Sequence, residues 1–231
     1  MSAQAARGVP AEPVLRAREA YDRAATRYDA WKWQPFWRAS ELPFILQALA
    51  DFAPGRPRLL DVGCGTGWYL HELEPLCAHT AGIDVSEGML AQARMRARHS
   101  ELLRAGAGHL PFADGAFDVV LSTRVMSHVA QVGQAIDEIV RVLAPGGVVV
   151  LSDIDANHDY THTRLPVADG HVMAETFKHT RGTVQAALAA VELKHRRSAL
   201  ILEDGKAEAI ERLGDNGHRG AAGWITAWGR G

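Results

Sequence analysis

Apolar and polar positions along this chain follow two periods in turn. Over residues 14–30, Tyr21, Ala24, Ala25 and Tyr28 fall at i, i+3, i+4 and i+7, which predicts a helix with one buried face. An aromatic cluster follows: Trp31, Trp33, Phe36 and Trp37. Phe44, Ile45, Ala48, Leu49 and Phe52 predict a second helix over 39–52, which Pro54, Gly55 and Pro57 end. Beyond it, short apolar runs alternate with helical stripes. Strands are expected at 58–62, 80–84, 101–105, 117–123 and 148–153. Helices are expected at 68–77, 86–98 (with Ser86 as N-cap) and 131–143. The run at 148–153 is apolar without interruption, as befits a strand covered on both faces.

The last third is less regular. Residues 163–167 and 171–177 read as two short strands around Ala168, Asp169 and Gly170, and a helix follows near 182–190. Segments 194–202 and 224–228 can close a sheet as an antiparallel pair. The expected fold is α/β: a Rossmann-like, doubly wound, mostly parallel seven-stranded sheet with a helical N-terminal cap and a hairpin insert. The cap spans 14–57 and the sheet domain 58–231, with the insert at 160–180. The Ala-rich residues 1–13 read as a disordered tail. The hairpin either covers a substrate or makes a contact in a homodimer.

Charge and composition narrow the classes. The formal net charge is -2, so no basic surplus points to nucleic acid or to an anionic membrane. No apolar run approaches the ~20 residues of a membrane span. Only Cys64 and Cys77 occur, which fits a reducing cytoplasm rather than a disulfide framework.

The sharpest chemistry lies at 59–67, Leu-Leu-Asp-Val-Gly-Cys-Gly-Thr-Gly. A strand feeds a glycine turn that opens a helix, and Asp84 ends the next strand, where a carboxylate can grip both hydroxyls of a ribose. The glycines run G-x-G-x-G, and Trp68 stands where a dinucleotide site has its third glycine. Asp61 would repel a pyrophosphate but attract an ammonium group. A tight turn in some other parallel-sheet protein is the plain alternative.

Residues 61–67 resemble the first motif of class I S-adenosylmethionine-dependent methyltransferases, in the broad group that includes the ubiquinone and menaquinone biosynthesis enzymes. The resemblance continues through Gly82–Leu90, Leu110–Val120 and Ala135–Gly147, covering about residues 20–155. It implies S-adenosylmethionine as cofactor, a small-molecule acceptor and methyl transfer to oxygen, nitrogen or carbon in secondary metabolism. A protein or RNA methyltransferase, a catalytically silent binding subunit and an NAD-dependent oxidoreductase are the alternatives. By the same resemblance Asp61, Gly63, Cys64 and Gly65 would meet the methionine part of the cofactor, Asp84 the ribose, and Val85 and Met89 the adenine, with Ala107 and Ser122 completing the site. Tyr21 would donate to the cofactor's carboxylate. One departure stands out: such proteins often carry Gly-Asp-Ala before Leu-Pro-Phe, and this chain has Gly106 in the aspartate's place. His109 is either a substitute for it or a solvent-exposed residue.

For catalysis the candidates are His128, Tyr28 and His158. His128 follows a central strand and faces the expected mouth; it is either a general base or a packing residue. Asp153, Asp155, Asn157, His158, Asp159 and His162 crowd another strand end. A solvated loop, an acceptor-binding cluster and a divalent metal site compete there, and no metal is expected.

Overall fold

The computed structural model describes residues 13–158, 162–214 and 220–231. A two-residue strand, β1 (Val14–Leu15), precedes α1 (Ala17–Ala24), a 3₁₀ turn at Tyr28–Ala30 and the long α2 (Gln34–Phe52). Then come β2 (Arg58–Val62), α3 (Trp68–Leu73), β3 (His79–Asp84), α4 (Glu87–Arg96), β4 (Glu101–Arg104), β5 (Phe117–Thr123), α5 (Val132–Val142) and β6 (Leu143–Ile154). The rest is β7 (Thr163–Val167), β8 (Gly170–Ala174), α6 (Arg181–Ala190), β9 (Lys194–Leu202), β10 (Ala207–Ile210) and β11 (Ala221–Gly229).

One sheet runs in the order β10-β9-β11-β6-β5-β2-β3-β4. Strands β2 to β6 pair in parallel, and β11 inserts antiparallel between β6 and β9. The period-two rule explains the layering. Val149 and Leu151 of β6 pack on one side with Ile136, Ile139, Val184 and Leu188 of α5 and α6. Val148 and Val150 pack on the other with Ile45, Leu49, Leu70 and Leu90 of α2, α3 and α4.

The sheet has eight strands, not the expected seven. The extra one, β10, pairs with β9 at the edge, and three of its four residues are exposed. An edge strand with so little apolar content leaves no periodic signal. The N-terminal helix is also shorter than expected. Val14 and Leu15 extend and pair in parallel with Met173 and Ala174, and the helix ends at Ala24, so Tyr28 sits in the turn beyond it. Helix α2 begins earlier than expected, at Gln34, with Pro35 in the first turn where its missing N–H costs nothing.

Strands β1, β8 and β7 form a second small sheet. With α1 it buries Ala20, Ala24, Leu165, Val172 and Ala174. This cap is held to the main domain by two aspartates. Asp22 accepts from Ser86 Oγ at 2.7 Å and Gly88 N at 3.0 Å, at the start of α4. Asp29 accepts from Thr66 Oγ1 at 2.9 Å and Arg96 Nη2 at 2.6 Å. Each follows a tyrosine, so the doublets Tyr21-Asp22 and Tyr28-Asp29 each supply a ring and a latch. Among the described residues no helix is long and apolar enough to cross a membrane.

Candidate active site

The glycine turn after β2 lets the loop after β5 and helix α4 come close to it. Gly63 has φ +78°, and a Cβ there would lie 2.2 Å from Val125 Cγ2. Gly67 has φ +72° and opens α3, with Ala93 Cβ only 3.0 Å from where its own Cβ would be. A side chain at either place would push apart the elements that enclose the site.

Above this turn lies a cavity of about 290 Å³ at the C-terminal ends of the parallel strands. It brings together Tyr21, Tyr28, Gly63, Gly65, Asp84, Val85, Ala107 and His128 from the sequence candidates. Asp61, Cys64, Met89 and Ser122 do not line it: Asp61 is buried within β2, Cys64 packs in the core, Met89 is fully buried with its N–H on Ser86 Oγ at 3.0 Å, and Ser122 Oγ donates to the Val62 carbonyl at 2.9 Å.

Asp84 accepts from Gly65 N at 2.9 Å and Ser86 N at 2.8 Å, which points the carboxylate at the turn. Burial raises its pKa to about 6, against the pull of these N–H donors. Asp61 is 1% exposed, and neither of its oxygens has a hydrogen-bond partner. Burial, then the Asp84 charge, raises its pKa to about 8, and Arg124 opposes the shift. A buried carboxylate with open lone pairs beside a ribose-type acid fits a ligand carrying both an amine and an adenosine.

At the adenine corner His109 takes the second of its two alternatives: it is exposed and absent from the cavity lining. Gly106 is exposed, and a Cβ there would meet only Val85 Cγ1, at 3.7 Å. Gly106→Asp therefore has room. It is expected to tighten S-adenosylhomocysteine binding by roughly 1 kcal/mol through a charged acceptor for the adenine amino group, as calorimetry would show. An unchanged or weaker affinity would mean the ring amine lies elsewhere.

His128 is fixed from both sides. Its Nδ1 lies 2.8 Å from the Glu175 carbonyl, which can only accept, so Nδ1 carries the proton. Nε2 is then a lone pair, 2.9 Å from the Tyr21 hydroxyl, which donates to it. Burial lowers the imidazole pKa below its usual value, more than the Glu175 carbonyl and Asp153 raise it. Burial also keeps the Tyr21 hydroxyl protonated. The pair is a neutral base and its donor, joining cap to sheet.

Sequence reasoning passed over Arg124 and Glu41. Arg124 lines the cavity with a left-handed backbone, φ +57°. Glu41, on α2, is wholly buried; it accepts from the Tyr69 hydroxyl and from Ser152 Oγ at 2.6 Å, and Arg124 Nε is 3.3 Å away. A glutamate inside an apolar helix stripe was the available signal.

A second cavity, about 510 Å³, adjoins the first. Trp31, Trp33, Phe36 and Trp37 form one wall, and His158, His162, Arg164 and His171 stand on the insert side. Tyr28 and Trp31 are 6.1 Å apart, and Arg124 lies 5.5 Å over Trp37, so these side chains divide the two spaces. His158 thus belongs to the second cavity, not beside His128. The reading of 153–162 as a solvated loop fails at its start. Asp153 accepts from Ser127 N at 2.7 Å, and Asp155, 2% exposed, forms an ion pair with buried Arg181 at 3.0 Å. The first turn of α6 folds that arginine inward. Asp159 lies outside the described residues. Among the described residues no group of three or more His, Cys, Asp or Glu side chains could hold a metal.

A doubly wound sheet with this turn, the acid at the end of β3 and an orphaned Asp61 resembles the fold and cofactor site of class I S-adenosylmethionine-dependent methyltransferases. Residues 60–151 match the family described as methyltransferase domain, and S-adenosylmethionine is the cofactor of that class. The demethylmenaquinone methyltransferase of Symbiobacterium thermophilum is 35% identical over 158 residues, covering 60% of this chain and 59% of that protein. Sterol 24-C-methyltransferase ERG6B of Gibberella zeae is 29% identical over 203 residues, 82% of this chain and 50% of that one. The crystal structure of an S-adenosylmethionine-dependent methyltransferase from Mesorhizobium loti superposes with TM-score 0.64 at 20% identity, over 84% of this chain and 100% of that one. The chain spans 27% to 59% of the length of the curated relatives it matches.

Proposed function

We propose that the protein moves the methyl group of S-adenosylmethionine to a small-molecule acceptor, with His128 as the group that takes the acceptor's proton. The observation that carries this reading is the neutral Nε2 of His128 facing the same cavity as the glycine turn and Asp84. The cofactor, when bound, supplies an electrophilic methyl on a sulfonium. Asp84 holds the ribose hydroxyls, and Asp61 faces the ammonium. Tyr21 and Tyr28, 5.7 Å apart edge to face, close the cavity from above and exclude water. Binding both reactants in line in such a space can supply about 7–11 kcal/mol of the barrier.

The acceptor occupies the aromatic second cavity and reaches the first past Tyr28 and Arg124. Four aromatic rings along one wall suit a flat, largely apolar molecule. Relatives named for menaquinone precursors, sterols and a malonyl carrier protein are consistent with a metabolite acceptor. Incubation with methyl-labelled cofactor and a metabolite extract, read by mass spectrometry, tests the reading. Label in a small molecule supports it; label only in protein or RNA, or in nothing while the cofactor binds, overturns it.

Asp84→Ala checks the ribose contact. It is expected to weaken S-adenosylhomocysteine binding by about 1.5–3 kcal/mol, since two hydroxyls lose a charged acceptor. In the wild type the same contact should weaken as pH falls through about 6, where Asp84 protonates. A dissociation constant unchanged in the variant and flat from pH 5 to 7.5 would place the ribose elsewhere.

A further inference from the structure

The insert has two unlike faces, and the register of its hairpin separates them. Thr163 pairs with Ala174 and Leu165 with Val172, and Leu165, Val172 and Ala174 are buried with α1. Side chains alternate along a strand, so Arg164 and His171 turn the other way, and His162, just before β7, shares their parity. All three line the aromatic second cavity. Lys32 lines it from the aromatic wall, its ammonium 5.2 Å over the Trp33 ring. With His158, five of the described lining residues are Lys, Arg or His, and none is Asp or Glu. The chain as a whole has the opposite balance, 27 acidic residues against 25 Lys and Arg. Two further observations point to a ligand. His162 Nδ1 is buried, and no described group bonds it. Trp33 is 45% exposed at the cavity, an apolar surface left for a partner to cover.

Basic groups gathered round one space repel one another, and an anion placed among them relieves the repulsion. We propose that the acceptor is a flat aromatic carboxylic acid, its rings against the tryptophan wall and its carboxylate against Lys32, His162, Arg164 and His171. An imidazole N–H or an ammonium donates to a carboxylate, and a guanidinium fork matches its two oxygens. The rings give the tryptophans their role, since a small aliphatic acid would leave them uncovered. The cavity, at about 510 Å³, has the size of a metabolite pocket. The inference rests on the second cavity being the acceptor site and adds the acceptor's charge. A basic face that is only the solvated side of an antiparallel hairpin is the alternative.

The test is a cycle between side chain and ligand charge, read by calorimetry on the full chain with S-adenosylhomocysteine bound. The probes are benzoate, 2-naphthoate and anthracene-2-carboxylate, each compared with its neutral primary amide. In the wild type at least one carboxylate should bind about tenfold or more tightly than its amide. The double variant Lys32→Met, Arg164→Met should cut that preference by about fivefold or more. Its amide affinity should stay within about threefold of wild type, because methionine keeps an apolar stem against the rings. A smaller cut, or no carboxylate preferred over its amide in the wild type, would overturn the inference. The measurement needs no methyl transfer, so the two readings fail separately. Carboxylate preference in a protein that labels nothing would sink the proposed reaction and leave the anion site. A labelled acceptor that is uncharged at neutral pH would sink the anion site and leave the reaction.

Discussion

Asp61→Asn is expected to stabilise the ligand-free protein at alkaline pH while weakening S-adenosylhomocysteine binding by about 2–5 kcal/mol. The folded pKa of Asp61 is about 8, against an ordinary 3.8. The folded state therefore holds its proton more tightly than the unfolded chain does. The stability linked to this group is fully present below about pH 4. It declines as pH rises and is lost once pH passes about 8, where the carboxylate must be charged without a partner. Asparagine carries no charge, so its melting temperature should exceed wild type at pH 8.5 and match it near pH 4.5. A bound ammonium supplies the missing partner, so saturating ligand should raise the wild-type melting temperature most at pH 8.5. Thermal melts at the two pH values and calorimetry check both halves. An Asn variant that binds as tightly as wild type would show that Asp61 faces no ligand charge.

The trade-off locates function within the fold. Asp61 and Asp84 follow strand residues whose apolar neighbours pack on both faces of the sheet, so the scaffold is stable enough to hold two acids above their ordinary pKa. Natural sites that bind charged ligands keep such destabilised groups because the ligand completes them.

Most of this was legible in the sequence because the relevant signals are local. The turn at 61–67 combines a strand, glycines that need positive φ and a helix start, all within a few residues. The alternation of Val148 to Leu151 reports two covered faces. Ser86 caps α4 as its position predicts. What escaped is non-local or lacks a pattern. Strand β10 is exposed and exists only by pairing with β9. Strand β1 is two residues long and takes its conformation from β8, so tertiary pairing overrides a helix-like stretch. Arg124 and Glu41 lie 83 positions apart, and only the fold reveals that one faces the other. The same holds for Arg181, whose turn inward converts Asp155 from a loop acid into half of a buried ion pair.

His128→Ala is expected to cut turnover by roughly 10²–10⁴-fold while S-adenosylhomocysteine affinity stays within about threefold. The geometry supplies the reason. The Glu175 carbonyl fixes the proton on Nδ1, so Nε2 is always the basic atom, and this carbonyl, one residue past the end of β8, sets the ring's direction. Tyr21 occupies Nε2 in the ligand-free protein, and an acceptor hydroxyl or amine would take its place. Tyr21→Phe should therefore cost far less, about tenfold, through looser closure of the cap. The pH profile separates a base from a packing residue. A base works only when neutral, so the rate falls as pH drops through its pKa. Burial lowers that pKa, so the fall should come below the usual 6.5 of an exposed histidine, and the plateau should extend to higher pH. The acidic limb should vanish in His128→Ala, leaving only the weakening of cofactor binding as Asp84 protonates, which saturating cofactor removes. Single-turnover rates with the acceptor in excess keep product release from masking the chemical step. A variant within about threefold of wild type in that measurement, with the acidic limb intact, would leave proximity alone to carry the transfer and return His128 to packing.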